Sequence, residues 1–139
     1  MTYPVFLSIC GRQTYMDQDP DVIEFTTEGQ MHNTDDGWKI EYAESSLTGM
    51  EGVHTSFLIS PDTMVLTRTG KLNSQMVFKL GVVHESLYQM DFGALLLSVC
   101  ATEISYHLDE KGGTVDLKYS IEIEHGPSGT VDYHMDIKT

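Results

Sequence analysis

Apolar and polar residues alternate along most of this chain with a period of two residues. Such alternation is typical of β-strands that bury one face and expose the other. The pattern is clearest over residues 23–31, 53–59, 115–124 and 131–138. No segment keeps the apolar spacing of a helix for long enough to predict one. The sequence therefore predicts an all-β protein of antiparallel strands, each with one dry and one solvated face.

Short turn sequences separate the predicted strands. Combinations of Gly, Pro, Asp and Ser occur at 35–37, 60–62 and 126–129, and they favour tight hairpins. No linker or low-complexity segment divides the chain, so we expect residues 1–139 to form a single domain. An open sheet of consecutive strands would leave two long edges, and closure removes them. We therefore expect a closed up-and-down antiparallel barrel of about 8–10 strands, with a two-sheet sandwich as the alternative.

Two charged residues occupy positions where the alternation calls for apolar ones. Glu44 follows Tyr42 on the apolar face of one predicted strand, and Arg68 follows Leu66 on the apolar face of another. An unpaired charge on a core face is strongly destabilising. Opposite charges on two inward faces therefore predict an ion pair or a bound ion.

Further polar residues belong to the same region of the predicted interior. Tyr42 and Thr55 supply hydroxyl groups, and His84 and Tyr88 share one face of their strand. The pattern leaves open whether that face or the opposite one points inward. Such a cluster could bind the carboxylate or polar head of a ligand, with Arg68 as a planar set of donors. Alternatively, it satisfies itself across the interior and only specifies the strand register.

The composition argues against several classes of partner. The chain has 21 acidic and 8 basic residues, and its net charge is −13. Because no basic patch could neutralise phosphates, we expect binding neither to nucleic acid nor to an anionic membrane. The longest uncharged apolar run, residues 94–101, is far shorter than the roughly 20 residues that span a bilayer.

Signals for export, disulfides and metals are weak. We interpret residues 1–11 as a first strand, because they lack the basic start and long apolar core of a lipoprotein leader. Cys10 and Cys100 are too few for a disulfide framework, and reduced thiols predict a cytoplasmic protein. The histidines show no ligand spacing, and phosphate-binding and nucleophile motifs are absent, so we predict no metal and no cofactor.

Short motifs lie in a defined order along nearly the whole chain. They are residues 23–29, 42–52, Thr55, 68–70, Phe78, Gly81, His84, Tyr88 and Gly93. The most specific are Tyr-x-Glu-Ser at 42–45 and Thr-Gly-x-x-Gly at 48–52. In this order they resemble the YwiB-like domain-of-unknown-function family of small bacterial proteins. The resemblance weakens before residue 20 and in the last two strands.

The resemblance implies a calycin-like β-barrel, akin to lipocalins and fatty-acid-binding proteins. It also implies that one inward-facing set is formed by Tyr42, Glu44, Thr55, Arg68, Phe78, His84 and Tyr88. It supplies no activity, and the parallel with fatty-acid-binding barrels is one of fold. With Tyr119 added as an inward neighbour of Arg68, the candidate ligand-binding residues are Tyr42, Glu44, Thr55, Arg68, Phe78, His84, Tyr88 and Tyr119.

Three functions are open at this point. The leading hypothesis is a non-enzymatic barrel that holds a small, partly apolar, anionic or lipid-like molecule. The second is an enzyme that uses Glu44 or His84 as acid or base, although no nucleophile, metal set or cofactor motif accompanies them. The third is a monomeric or homodimeric interaction module with a solid barrel. Its hints are Met50 and the triplet 95–97, in which Leu96 faces away from its neighbours.

Overall fold

The alternation in the sequence corresponds to β-strands in the computed structural model of the protein. The structure describes residues 2–15, 19–35, 37–45, 51–90, 93–126 and 128–139. Within these ranges, no helix has the length and apolar character needed to cross a membrane. The strands of the described residues are β1 (Thr2–Tyr15), β2 (Asp21–Asn33), β3 (Trp38–Ala43), β4 (Val53–Ile59), β5 (Thr63–Gly70), β6 (Ser74–Lys79), β7 (Val83–Met90), β8 (Gly93–Asp109), β9 (Gly112–Ile123) and β10 (Ser128–Lys138).

These strands form one antiparallel sheet in the order β6-β5-β4-β3-β2-β1-β10-β9-β8-β7. Each strand pairs with its neighbours along the chain, except that β6 and β7 form no ladder and β1 pairs with β10. The two edges of the sheet are therefore β6 and β7, which approach each other. The predicted up-and-down antiparallel barrel is confirmed, and the barrel is nearly closed.

The gap between β6 and β7, here called the seam, is joined near its two ends. At one end Asn73 and Gln89 exchange backbone hydrogen bonds of 3.0 and 2.9 Å. At the other end Val82 N donates to Lys79 O at 3.0 Å. Between these ends, the described backbone of the two strands shows no bridge. The barrel wall therefore has fewer cross-strand hydrogen bonds along the seam than anywhere else in the sheet.

Inward-facing side chains build a continuous apolar core. Strand β4 shows the alternation plainly, because Val53, Thr55, Phe57 and Ile59 are buried whereas His54 is exposed. Burial of a large apolar side chain contributes about 1.5–3 kcal/mol to folding. The largest fully buried apolar side chains are Phe57, Phe78, Leu7, Met31, Ile40, Ile59, Met64, Leu117 and Met135.

The long strand β8 changes its inward face part-way along. Leu97 and Ala101 are buried in its first half, and Ile104 and Tyr106 pack against the core in its second half. Between these halves the register with β9 shifts at a bulge that follows Ala101. One extra residue inverts the alternation, because side chains of a strand change face at every residue. The bulge keeps both halves of β8 in contact with the core.

Candidate functional site

Part of the barrel interior is a cavity of about 330 Å³. It lies at the end of the barrel where β1, β3, β5, β7 and β9 finish, because its lining includes Gln13 and Arg68 near the ends of their strands. Asp21, Ile23 and Leu95 also line it and are exposed. The cavity therefore reaches solvent at this end.

The cavity has an apolar wall and a polar wall. Four tyrosines and two opposite charges supply most of the polar groups, and they come from β3, β5, β7, β9 and β10 or directly follow them. A mostly apolar surface with a few converging polar groups is typical of small-molecule sites. The apolar lining includes Ile9, Met76, Leu97, Ile121, Ile123 and Val131.

Glu44 is positioned by the first residues beyond β3. Its backbone N donates to Val53 O at 2.8 Å, so the pairing with β4 continues past the end of the strand. Its side chain is only 7% exposed, and Oε1 accepts a hydrogen bond of 2.8 Å from Thr55 Oγ1. Thr55 is fully buried and is the register partner of Tyr42. The carboxylate is therefore held against the wall of β4.

Arg68 extends from the inner face of β5 into the same region. It pairs in register with Thr55 on β4 and with Ser74 on β6. Its Nε is buried and has no hydrogen-bond partner. Among the residues that the structure describes, the ion pairs within 4.0 Å do not include one between Arg68 and Glu44. The two charges thus share a cavity, and a guanidinium donor is left for another group.

Two tyrosine hydroxyls meet on the polar wall. The hydroxyl oxygens of Tyr42 and Tyr133 are 3.5 Å apart. Burial raises the pKa of both phenols, and the negative charge of Glu44 acts in the same direction, whereas Arg68 partly opposes it. Because the neutral phenols are favoured, both hydroxyl groups keep their protons at neutral pH and can donate hydrogen bonds.

Five of the eight candidate residues line the cavity, namely Tyr42, Glu44, Arg68, Tyr88 and Tyr119. The other three do not. Thr55 lies behind Glu44 and acts through its hydrogen bond to the carboxylate. Phe78 is fully buried, and its ring centroid is 4.5 Å from that of Tyr119. His84 is on β7 and is not among the residues that line the cavity.

The structure decides which face of β7 points inward. His84 and Tyr88 are partly buried, whereas Val83 and Leu87 are 65% and 53% exposed. The polar face is therefore the inner one. His84 Nδ1 is nevertheless buried without a hydrogen-bond partner and lies apart from the cavity lining.

Sequence reasoning missed several polar residues of the interior. Tyr133 lines the cavity, and its signal was a tyrosine on the otherwise apolar face of the last strand. Ser74 Oγ and Ser86 Oγ, on the two sides of the seam, are buried without partners. Small hydroxyl residues in an alternating pattern carry no signal that separates an inner position from an outer one.

The residues that suggested an interaction module lie in different environments. Met50 lies outside the described residues. Leu95 lines the cavity and Leu97 is buried, whereas Leu96 is partly exposed on the outer face, as the alternation predicted. In the described ranges, no three metal-binding side chains converge on one point.

Three comparisons relate the chain to known proteins. A model of the family described as "domain of unknown function (DUF1934)" matches residues 7–137. The "uncharacterized beta-barrel protein YwiB" of Bacillus subtilis (strain 168) is 27% identical over 121 residues, which are 84% of each chain. The crystal structure of the ywiB protein from Bacillus subtilis matches with a TM-score of 0.83 at 23% identity, over 99% of this chain and 94% of that one. This likeness shows the barrel fold.

Proposed function

Because this chain belongs to the DUF1934 family, whose description assigns no activity, we propose a function from the cavity itself. The protein is a non-enzymatic β-barrel that binds a small, partly apolar, anionic molecule in its interior. The observation that carries this proposal is the position of Arg68. Its buried Nε donor lacks a partner, and the residue lines a cavity that is otherwise largely apolar and reaches solvent.

The size of the cavity supports a small ligand. Small-molecule sites commonly measure about 300–1,000 Å³. The cavity of about 330 Å³ lies at the lower end of that range. The apolar part of the ligand would lie against β8, β9 and β10, where Leu97, Ile121 and Val131 line the wall.

The polar wall supports a negative head group on the ligand. Arginine keeps its charge at any physiological pH and offers its donors in a planar fork. The hydroxyl groups of Tyr42 and Tyr133 remain protonated, because burial raises the pKa of each phenol. Thr55 donates to Glu44, so that carboxylate is already stabilised by the protein. A carboxylate or similar group of the ligand would accept hydrogen bonds from Arg68 and a tyrosine.

Ligand binding can be tested without knowing the natural ligand. Native mass spectrometry of the purified protein should show a bound small molecule, and 8-anilinonaphthalene-1-sulfonate, an apolar anion, should bind to the emptied barrel. Arg68→Gln should weaken binding of this probe by about tenfold to a hundredfold, because a charge-assisted hydrogen bond contributes about 1.5–3 kcal/mol. Circular dichroism should show that the variant is folded.

The chain offers a matched control for this experiment. Arg12, the other arginine of the sequence, is exposed on β1 outside the cavity lining. Arg12→Gln removes the same charge and should leave probe binding unchanged. A protein that is free of ligand in every preparation and does not bind the probe would contradict the proposal. Equal weakening by both substitutions would also contradict it.

Catalysis by Glu44 and His84 gains no support from their positions. Glu44 lines the cavity, but His84, on the inner face of β7, is not among the residues that line it. An acid–base pair must reach the same reacting group through hydrogen bonds. The binding function is therefore preferred to the enzymatic one.

We also propose that the protein works in the cytoplasm. Cys10 and Cys100 are both free thiols in the structure, which supports a reducing compartment. Titration of thiols in protein isolated from its own cells should find both of them free. A disulfide or an exported location of the protein would contradict this proposal.

A further inference from the structure

The outer surface at the seam is apolar and exposed. We define the seam face as the outward-facing residues of β6 and β7 together with the turn 80–82 between them. Its apolar side chains include Leu80, Val82, Val83 and Leu87, whose exposed fractions are 52%, 48%, 65% and 53%. Isolated exposed apolar residues are normal on a protein surface, but a group of them in one place marks an interaction site.

The seam face also differs from the rest of the molecule in charge. The chain has 21 acidic residues and a net charge of −13. The seam face carries one cation, Lys79, and one anion, Glu85. The outward residues of β5 and of the first half of β8, which flank it, carry no charge. Outward positions of β2, β9 and β10 hold many of the acidic side chains, such as Glu24, Asp116 and Asp132.

Strand edges add a second reason for this surface to be covered. Between their bridged ends, β6 and β7 form no ladder with each other in the described backbone. Exposed edges beside apolar side chains tend to associate with another chain, and proteins commonly protect them with charges or with covering elements. The seam face has neither an excess of charge nor a covering segment among the described residues.

We propose that the seam face is the contact of a homodimer, in which a second copy of this chain docks by a two-fold axis. In such a contact the same patch meets itself, and an axis that passes between Lys79 and Glu85 sets Lys79 of each copy opposite Glu85 of the other. Two molecules with a net charge of −13 repel each other, and the repulsion is smallest where acidic groups are fewest. The single cation and single anion make the patch complementary to itself.

Reversal of these two charges tests the contact directly. At about pH 8 and high protein concentration, the wild-type protein should sediment as a dimer. Lys79→Glu leaves two acidic groups on the face, and Glu85→Lys leaves two basic groups. Each variant alone should be monomeric, with a dimer dissociation constant raised by about tenfold or more. An equimolar mixture of the two variants should form a heterodimer, because every reversed contact is then attractive.

Control variants separate this contact from general effects of charge. Lys111→Glu makes the same change in an exposed turn outside the seam face and should leave the dimer intact. Leu87→Asp should abolish the dimer, whereas Phe6→Asp on the outer face of β1, where Phe6 is 61% exposed, should not. Circular dichroism should confirm the fold of each variant.

Several results would overturn the homodimer. These are a wild-type protein that stays monomeric at every concentration, a mixture of the reversed variants that stays monomeric, and a dimer that survives Leu87→Asp. Flotation of the monomer with vesicles of neutral phosphatidylcholine would instead assign the seam face to a membrane surface, and would overturn it equally.

Discussion

At the scale of single residues, the interior tolerates polar groups where a neighbouring strand supplies their hydrogen bonds. Glu44 is 7% exposed, and Thr55 on the adjacent strand donates to its carboxylate. A buried carboxylate without donors would be strongly destabilising. The register of β3 with β4, which places Thr55 beside the end of β3, therefore explains how an acidic residue can occupy an inward position.

Removal of the Thr55 hydroxyl should destabilise the fold. Thr55→Val keeps the shape of the side chain but leaves the Glu44 carboxylate without one of its donors. Because the group is buried, we expect the free energy of unfolding to fall by about 1–3 kcal/mol, as measured by urea denaturation. Thr69→Val, at an exposed position of β5, is the matched control and should change it by less than about 0.5 kcal/mol. Equal effects of the two substitutions would contradict this role of Thr55.

His134 on β10 should make stability depend on pH. Its Nδ1 is 2.6 Å from Asp116 Oδ1, and its Nε2 is 3.1 Å from Asp136 Oδ2. The hydrogen bond with Asp116 raises the pKa of His134, and burial opposes it less strongly. The folded state thus favours the protonated ring. This stabilisation is complete below the unfolded pKa of about 6.5 and is lost as pH rises through the folded pKa.

His134→Gln tests that pH dependence. The side chains of His134 and Asp116 are each 42% exposed, so their ion pair contributes less than about 1 kcal/mol to the free energy of unfolding. Urea denaturation should show the wild type to be more stable than the variant at about pH 5.5, with the difference vanishing at about pH 9. His107→Gln, at an exposed position on β8 outside the ion pairs of the described residues, is the control. A difference that grew as the pH rose would contradict the assignment.

At the scale of elements, alternation predicts which residues of a strand point inward only where no bulge interrupts the strand. Glu44 and Arg68 were found from the sequence because apolar neighbours fix the face of their strands. Strand β7 has apolar residues on both faces, so the sequence could not predict that the face with His84 points inward. The bulge in β8 inverts the pattern with no local sequence signal. Such features depend on contacts with other strands.

The seam should be the first part of the barrel wall to open. Amide groups of β6 and β7 that face the seam lack cross-strand partners between the bridged ends, whereas β1 and β10 are paired on both sides. Hydrogen exchange follows local opening. Amides of 75–78 and 84–87 that point into the seam should therefore exchange faster than those of β1 and β10, as measured by nuclear magnetic resonance. Equal protection in all four strands would show that the seam is closed in solution.

At the scale of the whole molecule, closure of the barrel follows from the number of strands, but the position of its gap does not. The sequence predicted a closed barrel from the edges that a long meander would expose. Pairing of β1 with β10 transfers the gap to β6 and β7, which no local pattern indicates. The cavity was equally hidden, because hollow space depends on the summed volumes of side chains from all strands. Five residues of its wall were nevertheless identified from the alternation, the resemblance and the neighbours of Arg68.

The net charge of −13 should make the fold more stable as salt is added. Because 21 acidic residues outnumber 8 basic ones, the charges repel each other on balance. This net repulsion is strongest in the compact state and is reduced by screening. The screening length falls from about 30 Å at 0.01 M to about 10 Å at 0.1 M ionic strength. Salt also weakens surface ion pairs such as Lys39 with Glu41, at 3.3 Å, but these contribute little. The urea midpoint, measured on dilute protein, should rise between these two ionic strengths by the same amount in NaCl and KCl. A midpoint that falls would show that local ion pairs outweigh the overall repulsion.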